Sequence, residues 1–240
     1  MTKRRSDWHA DNTGRSLMTT TTTRTRAARG QWLIPTGLIL LTLIPILGGA
    51  FRLTELSGGP AIIPAQARFT GSPIPVILHI VSATVFSVIG AFQFLPALRQ
   101  GRRSWHRTAG RILIPAGMIA AFSGLWMTTF YPHAVGDGEL LFVIRLVFGS
   151  YMVVSIVLAV RAILRRNFVS HGAWMTRAYA LGVAAGTQAI TLIPGSIIFG
   201  STHELSRAVA IGSAWVINVA VAELIIHRRR TRRAQELGLL

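Results

Sequence analysis

Residues 74–107 contain the pattern that decides the fold, IPVILHIVSATVFSVIGAFQFLPAL followed directly by RQGRRSWHR. The first 25 residues carry no charge when His79 is neutral, and the next nine contain four arginines. At about 1.5 Å per residue, a helix of this length crosses the roughly 30 Å hydrocarbon core of a bilayer. Because barrel strands are shorter and alternate in polarity, this continuous run predicts a transmembrane helix that ends in a basic loop.

The same alternation of apolar runs and basic connections recurs along the chain. We therefore predict an all-α polytopic membrane bundle of six transmembrane helices within residues 32–227. The predicted spans are 32–51, 74–98, 109–131, 140–160, 173–199 and 208–226. Residues 1–31 have the composition of a disordered basic Thr/Arg-rich tail, and residues 228–240 form a basic cytoplasmic tail. Both Met1 and Met18 are candidate translation starts.

Composition excludes several functional classes. Lys and Arg number 25 against 8 Asp and Glu, for a net charge of +17, which by itself is typical of a nucleic-acid binder. With 51% hydrophobic and only 14% charged residues, however, the chain lacks the polar surface of a soluble nucleic-acid-binding domain, and we expect no nucleic-acid partner. The absence of cysteine excludes disulfides, thiolate catalysis and cysteine-ligated metals.

The basic residues are distributed unevenly between the two sides of the predicted bundle. If both termini lie on one side, 21 of the 25 fall on that side, and the other four are Arg52, Arg68, Arg145 and Arg207. The positive-inside rule then places both termini in the cytoplasm. We also expect the basic face to bind anionic lipid at the inner surface of the membrane.

Two ionisable residues lie within predicted spans near the outer side. His79 is about two turns inside the second span, and Arg145 lies at a comparable depth in the fourth. One interpretation is structural, with a neutral His79 bonded to a neighbouring backbone carbonyl or serine and Arg145 snorkelling to the surface. The other makes them a substrate or relay site, which predicts one cavity in the outer half lined by both side chains.

The cytoplasmic connections carry a second set of candidate residues. Each presents a basic cluster with a serine, a histidine, a tryptophan and an arginine where the next span begins. Two histidines at one depth across a helix bundle are typical ligands of haem iron, so His106 and His171 are candidate ligands of a haem b. The candidate groups around that cofactor are Arg107, Arg111, Arg177 and Trp174, the arginines pairing with propionates. Membrane anchoring, lipid phosphates or a quinone-like head group remain alternative interpretations.

These motifs together resemble a known family over about residues 75–230. The residues that carry the resemblance are His79, the Ala91-Phe92-Gln93-Phe94 run, the His106-Arg107-Thr108-Ala109-Gly110-Arg111 turn, and His171 with the run from Trp174 to Leu181. The chain resembles the domain-of-unknown-function family numbered 2306, bacterial predicted membrane proteins. The resemblance implies a multi-pass protein of the bacterial inner (plasma) membrane and a set of functional positions, without a reaction. Its layout is similar to that of b561-type di-haem cytochromes, except that Arg145 stands where an outer-haem histidine would be.

Three functional hypotheses follow from the sequence. The first is haem binding or electron transfer through His106 and His171, and the second is a small-molecule transporter or binder using His79 and Arg145. The third is a non-catalytic membrane or assembly protein. No phosphate loop, metalloprotease helix or nucleophile elbow is present, so no catalytic residue is identified and an enzyme is not favoured. Further expectations concern packing: Gln93, Gln188 and Asn218 form interhelical hydrogen bonds, and Glu223 pairs with an arginine or snorkels to the surface.

Overall fold

The computed structural model describes residues 32–64, 66–95, 98, 103–200 and 203–238. All of the regular secondary structure in those ranges is helical. The helices are α1 (Leu33–Leu56), α2 (Ala67–Thr70), α3 (Pro73–Phe92), α4 (Arg103–Phe130), α5 (Glu139–Leu164), α6 (Phe168–Gly182), α7 (Ala184–Phe199) and α8 (Glu204–Glu236). The predicted tail over residues 1–31 lies outside the described residues.

Among these helices, five are individually long and apolar enough to cross a membrane, namely α1, α3, α4, α5 and α8. The pair α6 and α7 passes the same test together, although it is bent by 43° at Val183, and counted as one broken span it brings the number to six. The predicted all-α membrane fold is therefore confirmed. What the sequence did not predict is the break in the fifth span.

The break lets α7 pack closely against α1. A Cβ atom at Gly186 would overlap the carbonyl oxygen of Leu41, so only glycine permits this approach of the two backbones. Small residues at such contacts are typical of membrane helices, because van der Waals packing drives their association.

Three predicted boundaries differ from the structure by six residues or more. The helix α3 ends at Phe92 instead of residue 98, and Pro96 disfavours helical backbone at the residue before it. The helix α4 begins at Arg103, six residues earlier than predicted. The helix α8 continues to Glu236, ten residues past the predicted span, and Gly238 with φ 67° follows its end. Charged residues can extend a helix beyond the apolar core, whereas hydropathy marks only the part within it.

Helices adjacent in sequence pack against one another, most extensively α3 with α4, α5 with α6, and α7 with α8. Phe86 of α3, 1% exposed, and Ile156 of α5, also 1%, lie at the centre of the main core. Tyr179 of α6 joins them, and its hydroxyl donates to the Ser87 carbonyl at 2.8 Å. Many large apolar side chains on the outer faces are exposed, as lipid-facing residues are.

Polar contacts between helices match expectation at one position and differ at another. Asn218 donates to the Ala180 carbonyl at 2.9 Å and accepts from the Thr187 hydroxyl at 2.8 Å, so its interhelical role is confirmed. Gln93 was predicted to do the same, and this was wrong: both polar atoms of its side chain are buried without a partner in the described part of the chain. Gln93 directly follows the end of α3 at Phe92.

The bundle has two chemically distinct ends. The basic end comprises the start of α1, the end of α3, the start of α4, the turn at residues 165–167 and the C-terminal part of α8. The Asp137 end comprises the segment from Ser57 to Ser72, the loop from Tyr131 to Gly138, and the start of α8. The Trp32 and Phe92 rings, 6.5 Å apart, show that α1 begins where α3 ends.

Candidate functional site

A buried carboxylate organises the Asp137 end. The side chain of Asp137 is only 2% exposed and accepts hydrogen bonds from arginines of two helices. Arg145 of α5 donates to Oδ2 at 2.7 Å, and Arg207 of α8 donates to Oδ1 from Nη2 at 2.8 Å and from Nε at 3.2 Å. Arg145 therefore has a carboxylate partner, as an arginine in a membrane span requires.

Two more arginines lie beside this cluster. Arg52, at the end of α1, pairs with Glu55 and donates to the Pro64 carbonyl at 2.9 Å. Arg68 of α2 donates from Nε to the Gln66 side-chain oxygen at 2.8 Å. Both guanidinium groups lie over the Phe69 ring, at 5.3 Å for Arg52 and 4.8 Å for Arg68. The four arginines that the predicted topology places opposite the basic side therefore all lie at the Asp137 end.

Charge and burial shift the pKa values of this cluster. Burial disfavours the carboxylate of Asp137, but Arg207 and Arg145 outweigh it, so the pKa of Asp137 lies below its ordinary value. Burial also lowers the pKa of Arg68; Asp137 raises it, while Arg145, Arg207 and Arg52 lower it. Burial raises the pKa of Tyr131, whose hydroxyl donates to the Ser72 carbonyl.

A cavity of about 400 Å³ extends from this cluster into the bundle. Arg68, Tyr131 and Arg145 lie at its polar end, and His79 lines it further in. Most of the remaining wall is apolar, formed by Phe69, Val76, Phe86, Leu125, Met127, Phe148, Met152, Leu181 and Trp215, together with small residues. The volume is within the roughly 300–1,000 Å³ range of small-molecule sites. The single cavity that the second hypothesis requires, lined by both His79 and Arg145, is therefore present.

The ring of His79 is held by the neighbouring helix. Its Nδ1 lies 2.9 Å from the Ala120 carbonyl oxygen and 3.2 Å from Ser123 Oγ, both on α4. Because a carbonyl can only accept, Nδ1 carries the hydrogen and Nε2 is left as an acceptor. The bonding to a carbonyl and a serine that the structural interpretation predicts is thus also present, and the two interpretations of His79 are compatible.

The basic end holds the other candidate residues. His106 lies in the first turn of α4 and His171 in the first turn of α6, and both are half-buried. His171 donates from Nδ1 to the Ala159 carbonyl at 3.0 Å, which orients its ring. Arg107 and Arg111 are exposed. Neither histidine lines the cavity described above.

Arg177 and Trp174 form a different contact from the one that a haem would require. The guanidinium of Arg177 donates to both carboxylate oxygens of Glu223, at 2.5 and 2.8 Å, and lies 4.4 Å from the Trp174 ring centroid. The predicted pairing of Glu223 with an arginine is confirmed. The role of Arg177 towards a haem propionate stays a prediction.

No group of three or more His, Cys, Asp or Glu side chains in the described ranges could hold a metal ion. Sequence reasoning selected His79 and Arg145 correctly as neighbours of one cavity. It did not identify Asp137, Arg68 or Tyr131 as parts of the same site. One feature of the sequence could have indicated this site. Arg68 and Arg145 are two of the four arginines that the predicted topology places on the side opposite the other 21 basic residues.

Comparison with known proteins agrees with this architecture. The family model described as predicted membrane protein (DUF2306) matches residues 76–226, close to the extent predicted from the sequence motifs. No curated protein and no solved structure matches the chain. The matched range covers well over half of the chain, from α3 into α8, and contains both His79 and Arg145. The protein therefore belongs to the DUF2306 family of predicted membrane proteins.

Proposed function

We propose that the protein binds a small molecule within the membrane, as a binder or transporter, in the cavity that His79 and Arg145 share. The observation that supports this most strongly is that both ionisable residues within the predicted spans near one side line the same cavity. An intramembrane ionisable residue is costly, and it is typically found on a substrate or ion pathway. The same proposal places the protein in the bacterial inner membrane with both termini in the cytoplasm.

The broken span supports a transport-related role. Leu181 and Gly182, at the end of α6, and Ala185, at the start of α7, line the cavity on either side of the bend. Discontinuous helices at the binding site are a recurring feature of secondary transporters, because they expose backbone groups and allow the two halves to move. Under the predicted topology, the polar end of the cavity faces away from the cytoplasm.

A neutral fluorescent probe tests whether the cavity binds ligands. We expect 1-aminoanthracene to bind saturably to the full-length protein in phosphatidylcholine nanodiscs, because an apolar cavity of this volume accommodates a three-ring aromatic molecule. The variant Ala83→Phe places a bulky ring in the cavity wall of α3. It should lower the affinity for the probe at least tenfold.

The matched control is Val81→Phe on the same helix. Val81 is 50% exposed and does not line the cavity, so its replacement should leave probe binding unchanged. Equal loss of binding in both variants, or no saturable binding in the wild type, would contradict the proposal.

Haem b held by His106 and His171 is the second candidate. One observation favours it: the Nδ1–H of His171 is fixed by the Ala159 carbonyl, the arrangement that orients histidine ligands of metals. Two observations oppose it, because neither histidine lines the cavity described above and Arg177 is bound to Glu223. The residues of the basic end therefore do not fit a haem in this arrangement, and we derive no electron-transfer step.

A spectrum separates the two candidates. A haem protein from cells supplied with haem would show a reduced-minus-oxidised Soret band that is lost in His106→Ala and His171→Ala. The small-molecule proposal expects a purified protein without that band, whose probe binding is unchanged by His171→Ala.

A further inference from the structure

We propose that the ligand of this cavity is an amphiphile with one anionic group, whose anion binds between Arg68 and Arg145 while its apolar part occupies the cavity. This inference rests on the proposed function and adds the chemical class of the ligand. It is carried by the guanidinium of Arg68, which lines the cavity without an ion-pair partner among the described residues, and by the composition of the cavity wall.

The carboxylate of Asp137 is already taken up by two arginines. Oδ2 accepts from Arg145 and Oδ1 accepts from Arg207. Arg52 has its own partner in Glu55. Arg68 is thereby left without a carboxylate partner among the described residues, although exposed carboxylates at the same end balance the total charge.

The Nε of Arg68 donates to Gln66, and its guanidinium forms no ion pair with any carboxylate in the described ranges. Glu139 and Glu204 also lie at this end, in the first turns of α5 and α8, and neither forms an ion pair with a described residue. A half-buried guanidinium with unused donors and repelling neighbours is stabilised by an anion, which it binds through paired hydrogen bonds.

The cavity wall beyond Arg68 and Arg145 suits the apolar part of the ligand. It is formed mainly by rings and aliphatic side chains, among them Phe86, Met152 and the Phe148–Trp215 pair, which is stacked at 5.2 Å. The polar exceptions are His79, Thr128, Tyr131 and Gln188. An inorganic anion would leave this surface unoccupied. A molecule with an alkyl chain or ring attached to the anionic group covers it, and the gain grows with the apolar area buried.

His79 adds a specific polar contact within the apolar part. Since Nδ1 donates to the Ala120 carbonyl, Nε2 is an acceptor and suits a hydroxyl or amide hydrogen of the ligand. It does not suit the anionic group itself, which therefore binds at the arginines and not at His79.

Competition against 1-aminoanthracene tests the charge requirement. In phosphatidylcholine nanodiscs, we expect sodium decanoate to displace the probe at a concentration about tenfold lower than decanol, which has the same chain without the charge. The variant Arg68→Gln should abolish that advantage while leaving decanol unchanged. Arg68→Lys keeps the positive charge and should retain part of the advantage of decanoate over decanol. Arg107 is an exposed arginine at the basic end, so Arg107→Gln should retain all of that advantage.

The possible results separate this inference from the proposed function. If decanol competes as well as decanoate, or if Arg68→Gln leaves their ratio unchanged, the anion site is wrong while the cavity remains a binding site. If the probe itself does not bind saturably, the proposed function fails first.

Nanodiscs that contain phosphatidylglycerol identify the source of the anion. In one outcome, this lipid raises the decanoate concentration that displaces the probe from the wild type but not from Arg68→Gln. The anion site is then supported, and a lipid head group occupies it. If decanoate competes equally in both lipid compositions, the anion site is supported with a free amphiphile as its ligand.

Discussion

The two ends of the bundle each join helices through an arginine–carboxylate pair, but they place the carboxylate in different surroundings. At the Asp137 end, the carboxylate side chain is 2% exposed and is bound by Arg145 and Arg207. At the basic end, the side chain of Glu223 is 45% exposed and is bound by Arg177 alone. Both contacts connect an arginine and a carboxylate on different elements, and only the first is enclosed by protein.

The contacts of Asp137 hold together the polar end of a cavity, whereas the Arg177–Glu223 pair only joins two helices. Removing one member of a buried ion pair leaves the other charge without compensation, whereas an exposed pair exchanges its partner for water at little cost. The Asp137 cluster also forms the polar end of the cavity, while the Glu223 pair lies outside it. We therefore expect the two pairs to differ in their contribution to stability, although their hydrogen-bond distances are similar.

The largest effect is expected for Asp137→Asn. The substitution leaves Arg145 and Arg207 without a carboxylate in a partly buried cluster, which should lower the free energy of unfolding by about 3 kcal/mol. Equilibrium unfolding of the detergent-solubilised protein measures the change. Glu139→Gln is the control, because this exposed carboxylate at the same end forms no ion pair in the described structure. A loss no greater than that of the control would show that the cluster does not stabilise the fold.

The second prediction uses pH to remove the same charge. Although burial opposes ionisation, the two arginines hold the pKa of Asp137 below its ordinary value. A lowered folded-state pKa contributes stability above the unfolded value of about 3.9, and that stability is lost as pH falls towards the folded-state pKa. The stability gap between wild type and Asp137→Asn should therefore be constant from neutral pH to about pH 5 and narrow below about pH 4. Thermal unfolding of both proteins across this range measures it; a gap that widens on acidification would contradict the assignment.

The smallest effect is expected for Glu223→Gln. Because Glu223 is nearly half exposed, breaking its pair with Arg177 should cost less than about 1 kcal/mol. The measurement is the same equilibrium unfolding, with Glu236→Gln as an exposed control on α8. A loss as large as that of Asp137→Asn would remove the distinction between the two ends.

Local features predicted some contacts and missed others for a physical reason. Glu223 lies near the end of an apolar span and close to many arginines, so its pairing could be predicted without knowing which arginine it meets. Asp137 lies in a loop, and its partners are 8 and 70 residues away in sequence. Nothing in the loop itself indicates burial, which arises only when α5 and α8 close over it.

The haem hypothesis illustrates the same limit of repeated motifs. The motif around His106 recurs around His171, and both residues do lie in the first turn of a helix at the same end. The space that a cofactor requires depends on how the helices rotate and pack, and the cavity lies instead beside His79 and Arg145. The close approach of Gly186 to Leu41 beside the break at Val183 is likewise a contact between distant segments, which the sequence does not reveal.

The sequence alone determined that the chain is an all-helical membrane protein with several spans and that it belongs to a recognisable family. Hydropathy and backbone hydrogen bonding act on each segment separately against the lipid, so they can be evaluated along the chain without knowing the neighbours. Only the tertiary structure decided which polar groups meet. The convergence of Arg52, Arg68, Arg145 and Arg207 around Asp137, and the cavity beneath them, depend on helix rotation and close packing, which are properties of pairs of segments.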